Sequence, residues 1–243
     1  MRLPMSFFLL LVSVLATAAQ ADDKALFQST DYQKLEDTGE ADRRFYVSGI
    51  MGGSFATLTI DEPPSINRSL FTAGAATGVA FSRPMGQLRL EFEGRYRDPV
   101  AETVSQDDIV ATVRASNGWS TMVNAWRDLN LTEHLGVYAG GGIGAGGYSF
   151  MVDVNSPSDD ISATAASGVT SFAWQAGGGV TYELSKRVTL DLGYRFYSVG
   201  AGTSTLTTSF AGFPIDSQDI TSRFSASELL FSVRIYEPFR GWR

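Results

Sequence analysis

The chain lacks cysteine altogether and contains only one histidine among its 243 residues. Without cysteine it cannot form a disulfide scaffold, a thiolate metal site, a catalytic cysteine or a lipid-modified amino-terminal cysteine. A Ser-His-acid hydrolase would have to use His134, since no other histidine is present. Long apolar runs are also missing after residue 21, because glycine or charge interrupts every candidate. If such a chain is exported, it is either soluble or a barrel, because only helices and closed barrels span bilayers.

Positive charge is also scarce. The chain carries 19 Lys and Arg against 26 Asp and Glu, which gives a formal net charge of −7. Nucleic-acid partners require clustered positive charge, so this balance excludes a general nucleic-acid-binding role. An acidic chain also has no overall affinity for anionic lipopolysaccharide, and local basic residues would have to supply any such contact.

The amino terminus has the layout of a secretory signal peptide. Arg2 supplies a positive charge, 7–16 is a short apolar run, and 19–21 is a small-x-small cleavage site. The run is too short to span a bilayer, which needs about 20 residues. We therefore predict a signal peptide at 1–21 and an exported chain. An uncleaved amino-terminal anchor is the alternative.

Three further segments follow the predicted signal peptide. Residues 22–43 are highly charged and poor in apolar side chains, and we interpret them as a solvated periplasmic tail. Residues 44–239 carry the barrel pattern described next, and 240–243 form a short carboxy-terminal tail. A chain of this size suffices for one barrel or sandwich domain.

Three stretches alternate apolar and polar residues with a period of two. In 88–96 the even positions are apolar apart from Gly94, whereas the odd positions are all charged. The stretches 188–197 and 229–235 repeat the pattern. Successive side chains of a strand point to opposite faces, so each stretch has one apolar and one polar face. Strands of about ten residues with this pattern are typical of transmembrane barrels, apolar toward lipid and polar toward the lumen.

The pattern as a whole predicts an all-β fold, an eight-stranded antiparallel up-and-down transmembrane β-barrel. The predicted strands are 44–57, 69–82, 87–97, 108–127, 134–149, 170–183, 188–198 and 225–237. Short connections alternate with long ones rich in Ser, Thr, Asp and Pro, as in barrels with short periplasmic turns and long surface loops. The long connections are 58–68, 98–107, 150–169 and 199–224. An even number of strands places both termini in the periplasm.

Strand parity places ten charged side chains inside the predicted barrel, five of each sign. They are Arg89, Glu91, Glu93, Arg95, Arg97, Glu183, Asp191, Arg195, Glu228 and Arg234. An eight-stranded barrel is only wide enough for its side chains to fill it, so we expect these charges to pair as a rigid plug. The alternative is a narrow polar pathway with the same groups as a filter. Inward glycines such as Gly142 and Gly193 would leave room for opposing arginines and tyrosines.

Aromatic residues on the predicted lipid face fall near the two rims of the barrel. Those near the periplasmic rim are Phe45, Phe81 and Tyr182. Those near the outer rim are Phe55, Tyr96, Phe172, Trp174, Tyr194 and Phe196. Aromatic rings favour the headgroup level of a bilayer, so we predict two aromatic girdles. The alternative is that these rings form the core of a soluble sandwich, which would have to bury the charged face or expose the apolar one.

Several glycine-rich and aromatic motifs carry a family resemblance. They are 120–129, 135–144, 172–180 and 190–196. With these motifs, 45–239 resembles the outer-membrane beta-barrel family, which includes opacity-type proteins, the OmpA-type transmembrane domain and related proteobacterial surface antigens. The resemblance implies an eight-stranded barrel that serves as a structural protein, adhesin, surface antigen or slow pore. Many such barrels end on an aromatic residue, whereas here 240–243 follow Phe239.

Two motifs suggest cofactor or metal chemistry but lack its context. Residues 142–147 fit G-x-G-x-x-G, yet a polar loop rather than a helix is predicted after them, so we expect no dinucleotide site. Asp153, Asp159 and Asp160 could supply oxygen ligands, but their spacing matches no calcium loop. We predict no catalytic, cofactor-binding or metal-binding residue.

The predicted function is therefore that of a structural, surface-presenting outer-membrane protein of a Gram-negative bacterium, without enzymatic activity. Its partners would be outer-membrane lipid and lipopolysaccharide, and an extracellular ligand bound through the long loops. Candidate loop contacts are Pro63, Asn67, Arg68, Asp159 and Phe213. A small passive porin-like channel and a lipid-modifying enzyme that uses His134 are the alternatives.

Overall fold

The computed structural model describes residues 43–60, 66–106, 109–156, 158, 161–210 and 213–238. The predicted signal peptide, the tail before Arg43 and the tail 240–243 lie outside these residues, as do Pro63 and Asp159. The described residues form nine strands. These are β1 (Arg43–Ile60), β2 (Ile66–Arg83), β3 (Gly86–Arg97), β4 (Val100–Gln106), β5 (Ile109–Asn130), β6 (Leu135–Ser156), β7 (Ile161–Ser185), β8 (Val188–Phe210) and β9 (Phe213–Tyr236).

The strands form one closed antiparallel ring. β3 pairs with both β2 and β5, and the ring runs from β2 through β1, β9, β8, β7 and β6 to β5. β3 and β4 both pair with the same edge of β5, one after the other. They would form one continuous strand if Asp98 and Pro99 did not interrupt it. Proline has no amide hydrogen to donate to a neighbouring strand, which explains a break at this point. With β3 and β4 counted as one, the ring has eight strands, which confirms the predicted barrel.

Three short turns lie at one end of the barrel, which we call the turn end. They comprise residues 84–85, 131–134 and 186–187. Met85 adopts a positive φ of 62° in the first of them, as tight hairpins often require. β1 begins and β9 ends here as well, since the Glu237 amide donates to the Phe45 carbonyl oxygen at 2.7 Å. We call the opposite end, where the other hairpins lie, the hairpin end.

Toward the hairpin end the strands run much further than the sequence predicted. β6 to β9 occupy most of 150–169 and 199–224, which we expected to be loops, and β4 occupies much of 98–107. Those predictions were wrong, because a high content of Ser and Thr is not specific to loops. Threonine favours strands, and the exposed Thr164 and Thr170 of β7 lie directly beside the buried Ala165 and Val169.

The interior changes character along the barrel axis. From the turn end to the middle it holds mostly charged and polar side chains, with two small apolar clusters around Tyr46 and Ile50. An apolar cluster fills it toward the hairpin end, made of Leu58, Met122, Tyr148, Phe150, Ala165, Val169, Ala173, Tyr197, Val199 and Ile220. In the part of the chain described here, no helix is long and apolar enough to cross a membrane.

Candidate functional site

Ten charged side chains lie buried inside the barrel, with equal numbers of arginines and carboxylates. They are Arg89, Glu91, Glu93, Arg95, Arg97, Asp128, Asp191, Arg195, Glu228 and Arg234. We call this set the charge network. β3 supplies half of it, because the odd-numbered residues of this strand all face inward. The network therefore has no net charge when all of its members are ionised.

The part of the network nearer the turn end is centred on Asp128 and Asp191. Arg89 Nε donates to both Asp128 carboxylate oxygens at 2.9 Å, and Arg234 Nη1 donates to the same carboxylate at 3.3 Å. Arg234 Nη2 also donates to Asp191, at 2.7 and 2.8 Å. Two arginines and two aspartates thus alternate in a chain of opposite charges. Charge-assisted hydrogen bonds of this kind are among the strongest in proteins.

A second part of the network, which we call the middle group, joins Glu93 and Glu228 to three arginines. Glu93 pairs with Arg195 Nη1 and, at 2.6 Å, with Arg95 Nε. Glu228 accepts from Arg95 Nη1 and, at 2.9 Å, from Arg97 Nε. Arg95 therefore bridges the two glutamates. None of these five side chains is more than 6% exposed, so water has little access to screen the pairs.

Neutral side chains satisfy most of the remaining polar atoms around the carboxylates. Glu91 accepts from three such donors, which are Tyr46 Oη at 2.9 Å, Asn124 Nδ2 at 3.1 Å and Trp126 Nε1 at 3.2 Å. Gln175 accepts from Arg95 Nη2 at 2.5 Å and donates to Asn124 Oδ1 at 2.7 Å. These amides supply partners for the carboxylates, which favours burial of the network, whereas Arg97 Nη2, Arg195 Nε and Arg234 Nε are buried without a hydrogen-bond partner.

Aromatic rings cover the flat faces of several network arginines. The Arg97 guanidinium carbon lies 3.9 Å from the Tyr197 ring centroid, and that of Arg195 lies 4.6 Å from the Trp126 centroid. Guanidinium groups stack well on aromatic faces, because the ring face is electron-rich and the weakly hydrated cation loses little on leaving water. The rings therefore fill the space between ion pairs that water would otherwise occupy.

Inward glycines make room for these large side chains. A Cβ atom at Gly193 would lie 2.0 Å from Tyr138 Oη, and one at Gly142 would lie 1.9 Å from Asn124 Oδ1. Neither distance is compatible with a real side chain, so both positions require glycine for close approach. Gly142 also opens the motif 142–147, which lies within β6 and is followed by more strand instead of the loop predicted from the sequence.

The structure differs from the sequence prediction at one member of the network. Glu183 is exposed near the last residues of β7, beyond the buried Thr181, so it does not join the other charges. Alternation along β7 predicts an inward side chain at this position, but the barrel is open to solvent at the turn end and does not enclose it. Asp128 takes the fifth acidic place, although the predicted strand 108–127 ends one residue before it. Extending the alternation Asn124, Trp126, Asp128 by one step would have found it.

The predicted aromatic residues all project from the outer surface. Seven are exposed, namely Phe45, Phe55, Tyr96, Phe172, Trp174, Tyr182 and Tyr194, and Phe81 and Phe196 are half-buried. Phe45, Phe81 and Tyr182 lie close to the turn end, and the other six lie further along the strands. Between them the outer surface carries apolar side chains such as Leu192 and Phe231. This outer surface is suited to a lipid environment.

The remaining candidate residues lie apart from the charge network. His134 is exposed in a turn, where its ring centroid lies 6.2 Å from that of Tyr182, and no hydrogen bond of its side chain is found among the described residues. Asn67 and Arg68 are exposed on β2, and Asn67 Oδ1 accepts from Thr57 Oγ1 at 2.7 Å. Phe213 begins β9 and is 74% exposed, the largest value among the exposed apolar side chains.

Comparison with known proteins identifies the family of the chain. Three solved structures are similar: the Neisserial surface protein A NspA (17% identity, 79% of this chain and 96% of that chain, TM-score 0.39), Ail of Yersinia pestis (11%, 76% and 98%, 0.34) and OprG of Pseudomonas aeruginosa (9%, 79% and 95%, 0.41). No curated protein matches. The profile of the outer membrane protein beta-barrel domain matches residues 7–219, which confirms the resemblance found in the sequence. The chain therefore belongs to the outer membrane protein beta-barrel domain family.

Proposed function

We propose that this outer-membrane barrel is a closed, non-enzymatic structural protein that displays its long hairpins at the cell surface of a Gram-negative bacterium. The observation that carries the proposal is the charge network, whose arginines and carboxylates are buried and paired across the interior. An eight-stranded barrel encloses only enough space for its own side chains. A network of this kind, filled out by aromatic rings, acts as a plug and braces the strands against one another.

The interior also argues against steady ion flow. A permeating ion would have to separate pairs such as Arg95–Glu228, and Arg95 is held by Glu93 and Gln175 as well. Breaking a buried pair on one side leaves an uncompensated charge, at a cost of about 3–5 kcal/mol. Beyond the network the apolar cluster around Phe150 presents a second barrier, because ions are poorly solvated among hydrocarbon side chains.

Conductance in planar bilayers tests the plug. The mature chain is refolded, its insertion is confirmed by a heat-dependent gel shift, and single-channel currents are recorded. We expect insertion without steady conductance. Steady, ion-selective steps from the unaltered protein would contradict the plug and favour a porin-like channel with the same charges as its filter. In Glu93→Ala we expect lower thermal stability but still no steady current, because the apolar cluster around Phe150 remains as the second barrier. Glu183→Ala is the matched control, because Glu183 is exposed and its loss should change neither property.

We also propose that the hairpin end faces the outside of the cell and both termini lie in the periplasm. The short turns lie at one end of the barrel and the long hairpins at the other. Outer-membrane barrels have their short turns on the periplasmic side, which supports this orientation. The absence of cysteine allows a direct test. In intact cells, Ser217→Cys should react with a bulky impermeant maleimide, whereas Lys186→Cys should react only after the outer membrane is permeabilised. The reverse pattern would invert the proposed orientation.

The proposed partners follow from that orientation. Arg114 and Arg223 are exposed on β5 and β9 beyond the aromatic residues, where basic groups could pair with lipopolysaccharide phosphates. The exposed apolar residues Phe210, Phe213 and Ile215 would offer a contact for an extracellular ligand at the tip of the β8–β9 hairpin.

The enzymatic alternative is tested at His134. If this residue has no enzymatic role, His134→Ala leaves lipid release from labelled outer-membrane lipid unchanged. Loss of a measurable activity in that variant would favour the enzymatic alternative.

A further inference from the structure

Among the described residues, three arginines are the only charged side chains on outward strand positions between the turn end and the level of Phe55 and Tyr96. They are Arg43 of β1, Arg83 of β2 and Arg127 of β5, and we call them the arginine patch. All three lie close to the turn end, at the border of the apolar outer surface. The patch therefore adds three positive charges and no negative charge to a surface that is otherwise uncharged.

Strand pairing places the arginine patch around two apolar side chains. Arg43 lies opposite Phe81 in the pairing of β1 with β2. Leu88 of β3 lies opposite Phe81 on one side and opposite Arg127 on the other. Three strand spacings of about 4.8 Å each separate the ends of this row, roughly 14 Å in all. Arg83 lies two residues beyond Phe81 along β2, so cations border Phe81 and Leu88 on three sides.

The other side of the barrel lacks such charges. In the part of the chain that the structure describes, the outward residues of β6 to β9 near the turn end are all uncharged. One row of paired residues shows this, namely Leu135, Tyr182, Leu190 and Val233. Arginines that only anchored the barrel at the headgroup level would be expected around its whole circumference. Their restriction to one side indicates a contact that is made at one place.

Backbone carbonyl groups hold two of these guanidinium groups at the β2–β3 turn. Arg83 Nη1 donates to the Ser82 carbonyl oxygen at 2.8 Å, and its guanidinium carbon lies 6.0 Å from the Phe81 ring centroid. Arg127 reaches across β3, where its Nη2 donates to the Pro84 carbonyl oxygen at 2.7 Å. Pro84 directly follows Arg83. The fold therefore brings cations from two strands to the same turn on the outer surface.

No carboxylate neutralises the arginine patch. Among the described residues none of its three arginines forms an ion pair, although Glu133 and Glu237 also lie at the turn end. The charge network differs, because each of its arginines pairs with at least one carboxylate. Neighbouring positive charges repel one another, so an anion between them is favoured. Lipid headgroups beside the aromatic residues of the turn end would supply phosphate.

We propose that the arginine patch binds an anionic glycerophospholipid whose headgroup carries no cation, as in phosphatidylglycerol. The exposed Arg43 and Arg83 donate charge-assisted hydrogen bonds to its phosphate, and the half-buried Arg127 adds positive charge beyond Leu88. The acyl chains pack on Phe81 and Leu88. A zwitterionic headgroup is disfavoured, because its ammonium group would lie among three guanidinium groups. Only the assignment of this lipid to the inner leaflet rests on the proposed orientation.

Fluorescence quenching of the mature chain in phosphatidylcholine nanodiscs tests the contact at a defined place. Because the chain has no cysteine, Val79→Cys and Val180→Cys can each carry a single fluorophore. Val79 lies outward on β2, two residues from Phe81, and Val180 lies outward on β7, on the other side of the barrel. Brominated phosphatidylglycerol or brominated phosphatidylcholine is added at the same low mole fraction, and quenching gives the relative association constant of each lipid.

The expected result is a preference at one position only. At Val79→Cys the association constant of phosphatidylglycerol should exceed that of phosphatidylcholine by about tenfold or more, because several cations contribute. At Val180→Cys the two lipids should quench equally. Equal quenching at Val79→Cys, or the same preference at both positions, would overturn the proposal. The nanodisc has the same lipid in both leaflets, so a reversed maleimide pattern in cells would change the leaflet and not this result.

Charge-removing variants in the Val79→Cys background locate the binding. Arg43→Gln and Arg83→Gln should each lower the preference for phosphatidylglycerol by about fivefold. Lys186→Gln is the matched control, because this exposed lysine lies in the β7–β8 turn and should leave the preference unchanged. An unchanged preference in both arginine variants would contradict the proposal. A gel shift on heating verifies the folding of each variant, and if one fails to insert, the comparison of Val79→Cys with Val180→Cys still decides.

A competition experiment separates the lipid from free phosphate as the ligand. Inorganic phosphate should weaken the preference at Val79→Cys no more than chloride does at equal ionic strength, because both ions only screen the charges. A specific loss in phosphate buffer would make the free ion the ligand and would overturn the assignment to a phospholipid.

Discussion

The two halves of the barrel are built with opposite chemistry. From the turn end to the level of Phe55 and Tyr96, the outer surface is apolar and the interior holds the charge network. Beyond that level the outer surface is rich in Ser and Thr, and the interior is the apolar cluster around Phe150. The first half is organised as a lipid-facing barrel, and the second is organised as a small soluble β-protein whose core is hydrocarbon.

A single strand shows how this inversion arises. Along β9 the even-numbered residues face inward throughout, from Ile220 and Phe224 in one half to Glu228 and Arg234 in the other. The outward neighbours change in the reverse sense, from Asp219 to Phe231. Backbone geometry therefore fixes which residues share a face, whereas the medium outside the barrel decides whether that face is apolar. Hydrophobic alternation alone does not distinguish inside from outside.

The largest effect should come from the interior of the lipid-facing half. Glu93→Gln removes the carboxylate that holds Arg95 and Arg195, and both cations remain buried. We expect the free energy of unfolding to fall by about 3–5 kcal/mol, because breaking a buried ion pair leaves uncompensated charge. Denaturant titration of the protein in phospholipid vesicles, followed by tryptophan fluorescence, measures the change. A loss below about 1 kcal/mol, the usual value for exposed pairs, would show that water screens this network.

A somewhat smaller effect should separate the two outer surfaces. Leu192→Arg places a charge on the apolar outer surface, where we expect a loss of about 2–4 kcal/mol if the residue lies near the bilayer midplane. Thr203→Arg makes the same change on the polar outer surface of the other half and should be close to neutral. Folding equilibria in vesicles of defined thickness compare the two. Equal penalties would mean that both surfaces meet the same medium and would remove the basis of the comparison.

The closed ring and its up-and-down strand order could be predicted from the sequence, because the period-two pattern is strong wherever charged and apolar residues alternate. Glu91, Glu93 and Arg95 were assigned to the interior for this reason, and the structure buries them. The strands in the half of the barrel toward the hairpin end, the hairpin half, were not predicted. Its strands alternate apolar residues with Ser and Thr, and that weaker contrast is also found in loops.

Other features depend on contacts that no single strand reveals. Asp128, and not Glu183, is the fifth buried acid because of where the barrel wall ends. Strand pairing, and not the alternation of residues along one strand, sets that position. The gap in strand pairing between β2 and β4 depends on the break at Asp98 and Pro99, which separates the two strands. The partners of Gln175 lie on other strands, at Arg95 and Asn124, so only the closed ring brings them together.

A modest effect should appear in the apolar interior of the hairpin half. Ile220→Val removes one methylene group from a buried position, and we expect a loss of about 0.5–1.5 kcal/mol from reduced burial and a small cavity. Thr170→Val, on the outer surface of the same half, is the control and should change stability little. Denaturant unfolding measures both. If Ile220→Val were neutral while Glu93→Gln was costly, the hairpin half would open independently of the rest of the barrel.

The smallest effect should come from the position where sequence parity and structure disagree. Glu183→Gln changes an exposed carboxylate at the turn end, and we expect the free energy of unfolding to change by less than about 0.5 kcal/mol. Asp128→Asn makes the corresponding change inside, where it leaves Arg89 and Arg234 without their shared carboxylate. The same denaturant titration therefore contrasts two acids that alternation along their own strands places on the inward face. Equal losses would restore Glu183 to the network, whereas a large loss for Asp128 alone means that enclosure by neighbouring strands, and not alternation, makes a charge structural.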